Sequence, residues 1–243
     1  MKKSSTLIYE LEKLTTKDLE KWNKRSNEIK KYVNQNYQFF AEARSRIFLD
    51  LKSALLKNCT THTFVNWQRI VSWRYTLHPL SAIGSSENAI GGRFNLGKID
   101  PSRFPYFCAL YIAEDRDTAF REKHGIPISG TTSGLTQEEL ALTKPFSETV
   151  ISVSGSLYNV LDITNKDTLK DYFNLIKSIK LPPSLAKTAK KIKFTPMQEV
   201  KSLDGLYKTI YSQDWRQMPI LFSIPANCQI LGHIAYEADD LRL

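Results

Sequence analysis

The sequence predicts an α+β protein with a helical first quarter, followed by short strands and helices in irregular order. Three observations carry this. Residues 1–78 contain neither Gly nor Pro, and apolar residues recur there at three/four spacing. After about residue 64, apolar stretches become short, β-branched and aromatic, with turn residues between them. Helical patterns interrupt these stretches without regular βαβ alternation, which distinguishes α+β from α/β.

Residues 15–58 read as one long helix or two consecutive ones. Thr15 and Asp18 form a capping-box pattern, and Asp18 and Glu20 place negative charge in the first turn. Leu19, Trp22, Ile29, Val33, Phe40, Ile47, Leu51 and Leu55 make an apolar seam that must be covered, within the chain or by a partner. Beyond it, Ile70–Tyr75, Tyr106–Ala113, Val150–Val153, Asn159–Ile163, Ile220–Ile224 and Gln229–Ile234 read as strands. Arg116–His124 and Thr168–Ile179 read as helices, and Thr131–Glu139 as a polar loop or helix start. The division expected is a helical N-terminal extension over 1–63 and a catalytic domain over 64–243.

With 42% hydrophobic and 11% aromatic residues, the composition is that of a packed globular chain rather than a disordered one. No apolar run approaches the roughly 20 residues of a membrane helix. The basic N-terminus turns acidic at Glu10 and Glu12, where a signal peptide needs an apolar stretch, so the expected location is the cytoplasm. Cys59, Cys108 and Cys228 are odd in number and widely spaced, and His62, His78, His124 and His233 show no ligand spacing, so no metal ligands are assigned. The net charge of +9 invites a nucleic-acid reading. Residues 1–60, however, hold 13 Lys/Arg against 7 Asp/Glu, leaving only +3 elsewhere. Interspersed acids make that face a solvated helix surface before a binding stripe.

The segment Ile90-Gly91-Gly92-Arg93-Phe94-Asn95 is the most unusual. Paired glycines admit torsions closed to other residues, and the Arg fork that follows suits a diphosphate or carboxylate. Leu110–Glu122 reads as strand, turn and helix, with Thr118 and Glu122 one turn apart on one face. Glu122 either faces the cleft at the strand end or pairs at the surface. Ser223 lies in an apolar stretch without a Ser-centred elbow or a His partner, which argues against a Ser–His nucleophile.

The ordered set Trp73-Arg74-Tyr75, Gly91-Gly92-Arg93-Phe94-Asn95, Leu110-Tyr111-Ile112-Ala113 with Ala119 and Glu122, Val160–Thr164, Ser212-Gln213 and Phe222–Ala226 resembles the RES family over roughly residues 67–236. The resemblance implies an ADP-ribosyltransferase-like mixed β core with flanking helices. It implies NAD⁺ as substrate rather than a bound cofactor, and glycohydrolase or ADP-ribosyltransferase activity in a toxin of a toxin–antitoxin or defence system. The implied catalytic residues are Arg93, Tyr111, Glu122 and Ser223, and the implied NAD⁺-binding residues are Gly91, Gly92, Arg93, Asn95 and Tyr111. An Xre-type antitoxin and a second copy of the chain are the implied protein partners, with no role for a membrane. The alternative expectation, from a different class, is a nucleic-acid-binding module that uses the basic N-terminal helices.

Overall fold

The structure, a computed structural model, describes residues 15–83, 90–102, 104–124, 147–194 and 199–239. It is a mixed α+β molecule with eight α-helices and a two-stranded antiparallel sheet among these residues.

Helix α1 spans Thr16–Arg46. The Thr15 hydroxyl accepts from the Asp18 N–H while the Asp18 carboxylate accepts from the Thr15 N–H, the reciprocal cap that the sequence predicts. The first turns stand in solvent, with Leu19 and Trp22 48% and 68% exposed. Farther along, the seam is covered, and Tyr32, Val33, Tyr37 and Phe40 are buried. Ile47 leaves helical geometry, and α2 (Phe48–Leu56) follows at once, burying Leu51 and Leu55.

The cover comes from the same chain. A 3₁₀ turn at Lys166–Leu169 leads into α4 (Lys170–Lys177), which packs on α2. Helix α5 (Pro183–Ile192) packs on α1, and α8 (Asn227–Asp239) packs on α2. Together with α6 (Leu203–Ile210) they build one core around Leu169, Tyr172, Leu206, Ile210 and Ile230.

Strands β1 (Cys59–Ser72) and β2 (Glu148–Leu161) form a 14-residue ribbon. Residue 63 lies within β1. Two bulges interrupt the ribbon, and each carries an Asn with positive φ, Asn66 at 57° and Asn159 at 55°. Asn is among the few residues that tolerate this region, and the extra residue increases the local twist. Val150–Val153 and most of Asn159–Ile163 thus belong to one strand, while Trp73–Tyr75 is a 3₁₀ turn that ends the first. Tyr106–Ala113 is extended but joins no strand of the described sheet; it makes the bridge Gln68–Ala113, with N···O distances of 2.6 and 2.9 Å, and the Phe107 N–H donates to the Leu96 carbonyl at 3.3 Å.

Two expected strands are helices. Ile220–Ile224 falls mostly in α7 (Gln217–Phe222), and Gln229–Ile234 falls inside α8. Short apolar runs carry no periodicity that separates a buried helix from a buried strand. In α8 the buried residues Cys228, Ile230, Leu231 and Ile234 extend around the helix, so no polar face marks it. Helix α3 (Arg116–His124) lies where the sequence predicts it. Thr131–Glu139 lies outside the described residues. No helix among the described residues is long and apolar enough to cross a membrane.

Candidate active-site cleft

The glycine turn is the centre of a cleft of about 840 Å³, within the range of ligand pockets. Gly91 has φ +78°, and a Cβ there would collide with the backbone of Asn95 and Gly97. The turn closes through a bridge from Gly91 to Leu96. At Gly92 a Cβ would overlap the Tyr111 hydroxyl. The first glycine therefore makes the turn, and the second makes room for the tyrosine.

Beneath the turn, fully buried Asn95 acts as a brace. Its Oδ1 accepts from the Gly92 N–H at 2.9 Å and from the Tyr111 hydroxyl at 2.8 Å, and its Nδ2 donates to the Phe107 carbonyl at 3.3 Å. Gln229, also fully buried, donates from Nε2 to the carbonyls of Ile90 (2.8 Å) and Gly92 (3.0 Å). Its Oε1 accepts from the Ala226 N–H at 3.1 Å. On the same helix, Gly232 lets the Phe94 backbone lie directly against α8. Each buried polar group thus has a partner, and the turn is fixed to the core.

This frame presents Arg93, whose Nη1 donates to the carbonyls of Ile210 (3.2 Å) and Ser212 (3.0 Å). The fork is half-buried, and among the described residues its Nε and Nη2 make no hydrogen bond. Tyr111 is held at its hydroxyl, which donates to Asn95 and accepts from the Phe94 N–H at 3.3 Å. Burial pushes its phenol up to about 12. The Phe94 hydrogen bond and the Arg93 charge work against that rise, and the Glu122 charge reinforces it. Glu122 itself is exposed on α3, one turn beyond Thr118. Asp115 orients the start of that helix, accepting from the Thr118 N–H and hydroxyl, both at 2.8 Å.

The cleft therefore brings together Gly92, Arg93, Tyr111 and Glu122 from three separate segments. Gly91 and Asn95 do not line it and act as supports. Ser223 is apart from it: the residue is exposed, caps the C-terminus of α7 with φ 53°, and donates its N–H to the Pro219 carbonyl at 3.1 Å.

Sequence reasoning missed Arg69. From β1 its Nη1 donates to the Tyr111 carbonyl (3.3 Å) and its Nη2 to the Ser81 carbonyl (3.0 Å), while its buried Nε has no acceptor among the described residues. The available signal was a charged residue between Trp67 and the buried pair Ile70–Val71. Arg69, Arg93, Arg121, Lys123 and Arg216 border the cleft against Glu114, Asp115 and Glu122, so the lining favours an anionic ligand. Lys123 and His124 both meet Glu148, at 2.8 and 3.0 Å.

No family model, curated protein or solved structure matches the chain.

Proposed function

We propose that this cleft binds NAD⁺ and cleaves its nicotinamide–ribose bond, by hydrolysis or by transfer of ADP-ribose. The observation that carries the proposal is the convergence of Arg93, Tyr111 and Glu122 on one basic cleft. Cleavage breaks the glycosidic C–N bond. The bonding pair leaves with nicotinamide, which becomes neutral, and the ribose carbon becomes oxocarbenium-like until an acceptor attacks it. Arg93, with Arg69 behind Tyr111, supplies positive charge for the diphosphate. The Tyr111 ring offers a face to the cationic nicotinamide, an attraction of about 0.5–2 kcal/mol. Glu122 stabilises the cation that develops on ribose.

Ser223 has no part in this scheme, because it stands outside the cleft. The finer fold assignment, an ADP-ribosyltransferase-like core, belongs to the same proposal. Its support is the ribbon with α3 and the glycine turn around the cleft, although the described sheet has two strands. A toxin role, an Xre-type antitoxin and self-association are the biological setting of this reading. The test is direct: purified protein is incubated with NAD⁺ and the products are resolved. Release of nicotinamide in step with ADP-ribose or an ADP-ribosylated acceptor is expected, and intact NAD⁺ after long incubation overturns the proposal.

A further inference from the structure

Arg93 adjoins two tyrosines, one at each end. At its backbone end is Tyr111, whose hydroxyl accepts from the next N–H along, that of Phe94, at 3.3 Å. At its guanidinium end are the carbonyls of Ile210 (3.2 Å) and Ser212 (3.0 Å), the residues on either side of Tyr211. Burial raises both phenols, and the Arg93 charge opposes the rise in each. Tyr111 already has a part in the proposed reaction, and Tyr211 has none. Yet Tyr211, the residue that ends α6, lines the same cleft and is 41% exposed. Its ring is held from two directions. Tyr207 lies one turn earlier on α6 and stacks on it, with centroids 5.7 Å apart and planes 22° apart. Both hydroxyls donate to the Ile163 carbonyl, at 2.8 Å from Tyr207 and 3.0 Å from Tyr211. With one face backed and the tip tethered, the ring offers its other face to the cleft.

A planar group that stacks there gains contact at little entropic cost, because the platform is already fixed. The other rings on the cleft are less available. Trp215 is buried with Arg216 over it at 4.7 Å, Phe94 packs against the core, and Trp67 lies against His62 and Phe64. We propose, resting on the reading of this cleft as an NAD⁺ site, that Tyr211 is its adenine platform and sets its preference for dinucleotides. The purine stacks on Tyr211, the diphosphate lies at Arg93, and the nicotinamide end reaches Tyr111 and Glu122. The two ends are assigned by charge. The pyridinium ring is cationic and belongs beside Glu122, whereas adenine is neutral and needs only a flat face with polar groups at its rim. Gln213, two residues on, lines the cleft and carries a donor and an acceptor on one amide, which suits the edge of adenine.

Two probes titrated by calorimetry into the full-length protein divide the ligand: ADP-ribose, which carries adenine, and nicotinamide mononucleotide, which lacks the adenylate half. Tyr211→Ala should weaken ADP-ribose about tenfold or more, the usual scale of a lost base–aromatic stack. Nicotinamide mononucleotide should bind the variant and the wild type equally. Tyr211→Phe keeps the ring and should restore ADP-ribose affinity to within about threefold. Should Tyr211→Ala fail to fold, Tyr211→Leu, which keeps apolar bulk against Tyr207 without a π face, takes its place with the same expectation. Equal ADP-ribose affinity in wild type and variant overturns the platform, as does parallel weakening of both probes or a failure of Tyr211→Phe to restore binding. Assaying NAD⁺ cleavage beside these titrations separates the two readings. Tyr211-dependent ADP-ribose binding with NAD⁺ left intact removes the cleavage and keeps the platform. Cleavage of NAD⁺ with ADP-ribose affinity indifferent to Tyr211 removes the platform and keeps the cleavage, and absence of ADP-ribose binding to the wild type overturns the platform outright.

Discussion

Glu122 and Arg93 do different work in the proposed reaction, so their substitutions should separate in measurement. Glu122→Gln keeps size and helix propensity on an exposed face, and should lower NAD⁺ turnover about 10²-fold or more while leaving the melting temperature unchanged. Arg93→Ala should weaken NAD⁺ binding by roughly 1.5–3 kcal/mol in calorimetric titration. Arg74→Ala should leave it unchanged, because Arg74 lies over Tyr75 outside the cleft. Equal affinities for the two variants would remove Arg93 from the ligand. The Arg93, Tyr111 and Glu122 positions were legible as a motif because turn, pocket tyrosine and helix lie in order along the chain. Asn95 was legible as part of the same motif, though as a ligand contact rather than a brace, and Arg69 showed only as a charge beside an apolar pair. Their roles come from contacts with Tyr111, 16 and 42 positions away in sequence. Burial also gives a pH dependence. Tyr111 and Tyr172 are both pushed up to about 12, from an ordinary value of 10. Folding therefore favours the neutral phenols. Their contribution is complete below pH 10 and is lost as pH rises through 12. Each accounts for about 2–3 kcal/mol. Chemical denaturation at stepped pH should show stability falling across that window, and a flat profile between pH 10 and 12 would contradict the burial of both rings.

At the scale of elements, periodicity found helices with one wet face and misread those without one. The bounds of α3 and the cap of α1 follow from local rules, since charges and caps there face solvent. Helix α8 was misread because its apolar run is buried on several sides, and α7 because its six residues are too few to show a helical period, Ile220 and Leu221 being exposed although apolar. The ribbon was legible only in fragments, since the bulges at Asn66 and Asn159 shift the alternation that marks a strand. Ser223 turns on the same misreading. Expected inside a strand, it is instead the left-handed residue that ends α7. That conformation costs a non-glycine residue about 1 kcal/mol or more. Ser223→Gly should therefore raise stability by a few tenths to about 1 kcal/mol in denaturant titration, with NAD⁺ turnover kept within about twofold. Loss of turnover without loss of fold would return Ser223 to the chemistry.

The whole molecule depends on its first two helices more than a division at residue 63 suggests. The sequence required a cover for the apolar seam but left open whether the chain or a partner supplies it. From α1 through α2 the seam packs on α4, α5 and α8 of the same chain. Long-range packing of this kind has no local signature, which is why only the need for it was readable. Tyr32, Val33, Tyr37, Phe40, Leu51 and Leu55 are all buried in that contact. At about 1.5–3 kcal/mol each, their burial contributes roughly 9–18 kcal/mol. That is comparable with the entire stability of an ordinary domain, about 5–15 kcal/mol. A chain beginning at Thr63 would also leave Tyr172 and Phe173 on α4, Ile234 on α8 and Leu169 just before α4 facing water. It should therefore be recovered as aggregate, or as a species with helical circular dichroism but no cooperative thermal transition. The N-terminal turns before Ile29 are a different matter, because Leu19 and Trp22 are already exposed. Replacing Leu19 and Trp22 together by Ala should therefore shift the melting temperature by a few degrees at most. If the chain from Thr63 instead melts cooperatively at the wild-type temperature, the helices are an appendage and the shared core is not what holds the fold.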